Sequence, residues 1–356
     1  MGIPTIHVGC MHFGHGRLQA LINANGLDAV AVVDLDADGA RQSIAELSGD
    51  VPDYLSDRVY RSVTEAQEAH SAEACLVYAS TTAHASLIAE SLGLGLHTLC
   101  VKPVVTSQDE LKSVIAAHRK AGDRMLVQGQ NKRWNPAAAK MREWLRDDGG
   151  VGEMLGGECR FWIRQNLWTG PNSRQPDAFV EGLFFHAGTS HQLDQLVAAK
   201  GLPKYVTART HTRTDETLAQ TGVWGTAGGQ ALMEYANGAP FSYTGTRAGH
   251  STHVGWSGSW TFHGVEGDLR RDGGHLELHR SGELVESVDL QDLHPGLVED
   301  DRIQFDAFAN AIETGEGREW METSSVNTWV LMEACNVSAR KEKRVDVEKF
   351  REGLFA

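Results

Sequence analysis

Through the first 130 residues, short runs of apolar and β-branched residues alternate with longer stretches whose apolar positions recur every three to four residues. The runs at 5–8, 29–33, 74–79 and 97–101 predict strands, and the stretches at 14–25, 37–47, 84–92 and 107–121 predict helices. Ser107, followed three residues later by Glu110, marks a capping-box start for the last of these helices. Strands and helices alternating in this way predict a doubly wound parallel sheet. After Met125-Leu126-Val127 and the segment Lys132-Arg133-Trp134-Asn135-Pro136 the texture changes. From 152 to about 288, polar and apolar positions alternate, as in Glu158-Cys159-Arg160-Phe161-Trp162-Ile163, and Trp, Gly and Thr are frequent. That pattern suits a large, open, mainly antiparallel sheet with one face exposed. Helical character returns at 303–314 and 325–340. The fold class is therefore α/β followed by α+β.

A length of 356 residues makes two domains the natural expectation, and 41% hydrophobic with 22% charged residues is an ordinary globular balance. No apolar run is long enough to span a bilayer. Met1-Gly2-Ile3-Pro4-Thr5-Ile6 leads straight into a strand, so no signal peptide is expected, and Ile6 breaks the myristoylation pattern. A net charge of -14 argues against nucleic acid, whose binding depends on clustered Lys and Arg. A small molecule is the expected partner. Cys10, Cys75, Cys100, Cys159 and Cys335 are odd in number, scattered and mostly set in apolar segments, which reads as reduced thiols in a cytoplasm. Among the 16 histidines, His250/His253 and His275/His279 have ligand-like spacing. No Cys or Glu cluster completes a tetrahedral set, so no metal is expected.

Gly9-Cys10-Met11-His12-Phe13-Gly14 follows the first predicted strand and opens a helix, where a dinucleotide fold lays its pyrophosphate on backbone N–H groups. The middle glycine of the fingerprint is replaced by Met11, so close approach of the phosphates must be managed differently. Asp34 ends the second strand at the spacing of the ribose-binding carboxylate. A carboxylate there accepts from the ribose hydroxyls and repels a 2′-phosphate, favouring NAD over NADP. Asp36 either shares that role or caps the next helix. Residues 1–130 thus read as a Rossmann dinucleotide-binding domain. Residues 131–356 form the remainder, an α/β domain.

The run Leu99-Cys100-Val101 ends in Lys102-Pro103, which would hold a lysine at the carboxyl edge of the parallel sheet, where such folds place their chemistry. With Asp34, Ser80-Thr81-Thr82-Ala83-His84, Gly95-Leu96-His97, Lys102-Pro103 and Asn131-Lys132-Arg133-Trp134-Asn135-Pro136, the chain resembles the glucose-fructose oxidoreductase, inositol dehydrogenase and rhizopine catabolism (Gfo/Idh/MocA) family. The resemblance implies that Ser80, Thr81 and His84 line the nicotinamide. It also implies substrate binding and oligomerisation for residues 131–356, with closing helices, about 303–340, packing back toward the first domain. Lys102 falls on the family's Glu-Lys-Pro motif, with Val101 replacing the glutamate. The family's Asp-x-x-x-His-x-x-Asp element is met by His191 and Asp194, with Ala187 at the first Asp and His186 beside it as a stand-in, a substrate contact or a packing residue.

Oxidising a hydroxyl means removing its proton as hydride leaves the carbon, and a histidine titrating near neutrality suits that task. His191 is the expected base, Lys102 steadies the developing alkoxide, and Asp194, one helical turn on, holds an adjacent hydroxyl. Arg160, Trp162 and Arg164 share one strand face, with Trp168 in the loop beyond. They offer a ring platform and an anion fork for a sugar, anionic or glycosylated; covering the sheet or an oligomer interface serves them equally well. Two reactions stay open: NAD-linked oxidation of a sugar or polyol, or an NAD-dependent glycosidase working by transient oxidation at C3, elimination, water addition and re-reduction. A non-enzymatic NAD sensor is weaker, since Lys102, His191 and Asp194 all persist. The exposed sheet face leads to the expectation of a homodimer or homotetramer.

Overall fold

The computed structural model describes residues 2–11, 13–146, 148–163, 184–213, 225–246, 254–290 and 297–355. The expected positions His12, Arg164, Trp168, His250 and His253 lie outside them. The chain forms two compact units: Met1–Trp134 with Pro295–Ser325, and Asn135–His294 with Val326–Ala356.

In the first unit, strands β1 (Ile3–Val8), β2 (Leu27–Val33), β3 (Val59–Tyr60), β4 (Ala74–Val77), β5 (His97–Val101) and β6 (Leu126–Gly129) make one sheet in the order β3-β2-β1-β4-β5-β6. Every pairing is parallel. Helices α1 (Phe13–Ile22), α2 (Ala37–Ala45), α3 (Val63–Ala69), α4 (His84–Gly93) and α5 (Gln108–Lys120) connect the strands. β4, β5 and β6 are buried at every residue, the polar His97, Thr98 and Gln128 included, and their apolar parts, such as Leu99-Cys100-Val101, stand out in the sequence. Strand order reverses between β1 and β4, and the crevice at such a switch point is where open α/β sheets bind their ligands. The Ser107/Glu110 capping box on α5 is present.

The sequence division at 130 differs from this packing. The first unit runs to Trp134 and also takes back 295–325, so the two closing helices part company. The first of them buries Phe305, Phe308 and Ala309 in the same cluster as Leu18, Leu21 and Leu27. That apolar stripe has its partners on α1 and β2.

In the second unit, α6 (Pro136–Trp144) leads to β7 (Met154–Trp162), α7 (Ser190–Lys200), β8 (Tyr205–Arg213), β9 (Gly225–Glu234), β10 (Pro240–Thr246), β11 (Ser259–Gly264), β12 (Asp268–Asp272), β13 (His275–Arg280) and β14 (Glu283–Asp289). Helix α8 (Leu297–Thr314), described above, belongs to the first unit; α9 (Val326–Lys341), β15 (Val345–Asp346) and α10 (Val347–Phe355) return to the second. The nine-stranded sheet has the order β14-β13-β12-β11-β7-β10-β9-β8-β15. All its pairings are antiparallel except β7 with β10. On β7, Cys159 and Phe161 are buried, while Glu158, Arg160 and Trp162 stand on the opposite, open face.

Candidate functional site

The turn after β1 is built by close approach. Gly9 has φ 82°, and a Cβ there would fall 2.7 Å from the carbonyl oxygen of Tyr78. A Cβ on Gly14 would fall 1.9 Å from the carbonyl oxygen of Gly9. Only glycines let strand, turn and helix start come this near, which sets the N-terminus of α1 against the end of β1, where a pyrophosphate would approach. Beneath the turn, His7 Nε2 lies 3.1 Å from the Gly9 carbonyl oxygen and the ring stacks on Tyr78 at 5.6 Å. Burial pushes the His7 pKa down to about 4, so the ring is neutral and its N–H donates to that carbonyl.

Asp34 follows β2 and is fixed on both oxygens. Cys10 N donates to Oδ2 at 3.1 Å and Asp36 N to Oδ1 at 3.0 Å. The Cys10 thiol, 3.7 Å from Oδ2, is pushed up to about 12 by burial and by the Asp34 charge, so it stays protonated beside the carboxylate. Asp36 caps α2, taking the N–H of Gly39 at 3.0 Å. Phe13 carries the Arg17 guanidinium 3.5 Å over its ring. The glycine turn beside a pinned carboxylate fits a dinucleotide: the α1 N-terminus and Gly9, Cys10, Met11 and Gly14 would take the pyrophosphate, and Asp34 the ribose.

Lys102 is half-buried, one residue past β5, and its bond to Pro103 is cis. Val101, where the related motif carries glutamate, is 9% exposed and belongs to the apolar core. Ser80 is exposed and Thr81 half-buried at the turn after β4. His84 departs from expectation. It is 1% exposed, with Nδ1 2.8 Å from the Pro103 carbonyl oxygen and Nε2 3.1 Å from that of Ala79. Both ring nitrogens lie against backbone carbonyls of the protein, so His84 braces the lysine loop.

In the second unit, α7 carries His191 half-buried, its ring edge-on to Trp256 with centroids 6.0 Å apart. Trp256 in turn packs on Phe161 at 5.4 Å. Gln192 donates to the Trp256 carbonyl oxygen at 2.5 Å, tying that loop to α7. Asp194, expected to hold a substrate hydroxyl, is 1% exposed and accepts from the Thr328 hydroxyl at 2.9 Å. Its turn of helix faces α9, so it anchors α7. His186, also 1% exposed, has Nε2 3.1 Å from Glu333 Oε2, and its ring lies 5.6 Å from that of Trp329. Burial acts to raise the Glu333 carboxyl, but the bonds from His186 and Arg340 outweigh it and hold it low. His186 is thus half of a buried pair.

Arg160 and Trp162 are the other correction. α7 lies over the face that carries Cys159: a Cβ on Gly258 would meet Cys159 Sγ at 3.1 Å and Gln192 Cγ at 3.2 Å. The two large polar-tipped residues of β7 therefore point away from His191, and Arg160 lies 3.6 Å from Glu158. The sequence reading missed Trp256, Thr328 and Glu333, whose partners are 65, 134 and 147 residues away, which no local spacing encodes. The His275 and His279 spacing is used by Glu277, within 3.3 and 2.9 Å of the two rings. Among the described residues, no group of three or more His, Cys, Asp or Glu could hold a metal, and no helix is long and apolar enough to cross a membrane.

Residues 5–129 match the family model described as an oxidoreductase family with an NAD-binding Rossmann fold. Among curated proteins, the chain is 26% identical over 187 residues to inositol 2-dehydrogenase of Salmonella paratyphi B, covering 52% of this chain and 53% of that one. It is 25% identical over 181 residues to D-apiose dehydrogenase of Paraburkholderia graminis, covering 50% and 46%. The chain thus aligns with about half the length of these relatives. Similarity of fold runs further. An oxidoreductase from Agrobacterium radiobacter, solved with NAD+, L-tartaric acid and magnesium, superposes with TM-score 0.79 at 18% identity over 98% of this chain and 99% of that one. A myo-inositol dehydrogenase from Corynebacterium glutamicum superposes with TM-score 0.75 at 16% identity over 97% and 98%.

Proposed function

We infer, from the premise that this chain belongs through residues 5–129 to the Gfo/Idh/MocA family of NAD-binding oxidoreductases, that it oxidises a hydroxyl of a sugar or polyol with NAD. The observation that carries the reading is the glycine turn set against an Asp34 whose two oxygens are held by Cys10 and Asp36. Held by the glycine turn and Asp34, NAD would supply the hydride acceptor for the carbinol carbon. His191 takes the hydroxyl proton, and its half-buried setting against Trp256 leaves the ring fixed but accessible. Lys102 orients the hydroxyl oxygen and stabilises its developing negative charge, with its loop braced through Pro103 by His84. Asp194 is a positioning residue, holding α7 through Thr328.

Asp34 supports NAD over NADP, because its carboxylate would oppose a 2′-phosphate. Arg160 stands on the open face of β7, away from His191, and gives no support to an anionic substrate. The two curated relatives named above are both dehydrogenases, so the reading is of net oxidation rather than glycoside cleavage. Five buried free thiols support a reducing compartment such as the cytoplasm, and the uncovered sheet face supports a homo-oligomer.

The test is incubation with NAD+ and a panel of cyclitols, aldoses and branched pentoses, following NADH absorbance. NADH formed with at least one of them, and much less with NADP+, is the expected result. A chain that binds NAD+ yet reduces it with no polyol or sugar would overturn the substrate class.

A further inference from the structure

We propose that Met11 and Gly39 form a matched pair on the ribose side of the NAD site, the glycine providing the space that lets a methionine replace the fingerprint's middle glycine. The inference rests on the NAD reading above. In the fingerprint that glycine is bare because the pyrophosphate passes close to the backbone there. A methionine at the same place leaves the passage open only if its side chain is stowed elsewhere.

The structure stows it on the first turn of α2. A Cβ built on Gly39 would fall 2.8 Å from Met11 Cε and 2.6 Å from Asp36 Oδ2. An unbranched thioether can fold into such a gap without strain. Glycine at 39 is otherwise a poor choice. It lies inside α2 with no left-handed backbone to require it, and glycine is among the least favourable residues within a helix. The missing side chain is therefore what position 39 supplies. A methyl group there would meet the mobile end of Met11 first among apolar atoms, and the displaced thioether would be driven from the turn of α2 toward the ribose carboxylate and the phosphate path.

The test is NAD+ binding to the full chain by titration calorimetry, with thermal unfolding recorded alongside. Gly39→Ala is expected to weaken NAD+ binding about tenfold or more, as overpacking does, while the unfolding midpoint holds or rises because alanine is the better helix former. Met11→Ala combined with Gly39→Ala is expected to regain the affinity of Met11→Ala alone. Unchanged binding in Gly39→Ala overturns the pair. So does a double variant that stays weak, since the injury would then lie in the Asp36 cap. If the unmodified chain binds no NAD+, the cofactor reading falls and this proposal with it; normal binding by the unmodified chain with either of the preceding results fells the pair alone.

Discussion

His84 Nδ1 lies 2.8 Å from the carbonyl oxygen of Pro103, so the first residue of α4 holds the residue next to Lys102. The other nitrogen meets Ala79 at the end of the β4 turn, making the ring a strut between two loops on the carboxyl edge of one sheet.

Replacing His84 with Ala is expected to lower kcat about tenfold or more, with NAD+ affinity nearly unchanged, and to cost about 1–3 kcal/mol of stability as a buried carbonyl loses its donor and the ring's packing is lost. Asparagine, which keeps one donor, should recover part of kcat. Steady-state kinetics with separate kcat and KM values, alongside urea titration, check it; a loss confined to NAD+ binding would instead make His84 a cofactor contact.

Loss of the base should be larger. His191→Ala is expected to reduce kcat about 10²- to 10⁴-fold and to abolish the acidic limb of the pH–rate profile, while NAD+ binding persists. Lys102→Met should reduce kcat comparably but leave that limb in place. Calorimetric NAD+ binding and pH–rate profiles separate the two roles, and a His191→Ala enzyme with the full acidic limb would remove His191 as the base.

Acid sensitivity follows from His7. Its pKa is about 4 in the fold against 6.5 unfolded, so between those values the unfolded chain binds the extra proton. The stability this group contributes is fully present above about pH 6.5 and is lost as pH falls toward 4, on the order of 3 kcal/mol. Burial, with Arg124 beside it, sets the same direction for His97, also about 4. Asp301 opposes them: burial raises its carboxyl to about 6, so its contribution is greatest below about 3.8 and declines as pH rises through 6. Urea midpoints at pH 7.5 and 5.0 should fall with acid, and less steeply in His7→Phe. Equal slopes in the two proteins would show that His7 does not carry the effect.

The His186–Glu333 pair predicts a stability defect in place of a substrate defect. Removing either partner of this partly buried hydrogen bond should cost about 1–3 kcal/mol, with a coupling energy in the double-mutant cycle. KM for the sugar should stay within twofold in any variant that folds. A raised KM without loss of stability would restore His186 as a substrate contact.

Much of the first unit was legible because its strands are buried on both faces and carry short apolar runs, such as Ala74-Cys75-Leu76-Val77 and Leu99-Cys100-Val101. The two-residue strand at Val59–Tyr60 left no such run, since it is short and only half-buried. Asp34 was legible from spacing because turn and strand lie in one local βαβ unit. On β7 the alternation correctly grouped Arg160 with Trp162, but period two says which residues share a face, never which face a helix covers. That depended on α7, nearly 30 residues further along. Asp194 and His186 misled for the same reason. Their partners Thr328 and Glu333 sit on a helix that local patterns cannot place.

The single parallel pairing in the nine-stranded sheet has its own consequence. β7 and β10 point the same way, so the chain leaves both strands at one edge, where Val254 N bonds the Trp162 carbonyl oxygen at 2.8 Å and Trp256 goes on to reach His191. Were the two strands opposed, their exits would be separated by the full length of the sheet. Side by side, they let the chain depart from Ile163 and from Thr246 at one edge with every strand register already set, so a change of length beyond either point leaves the ladder of the sheet as it is.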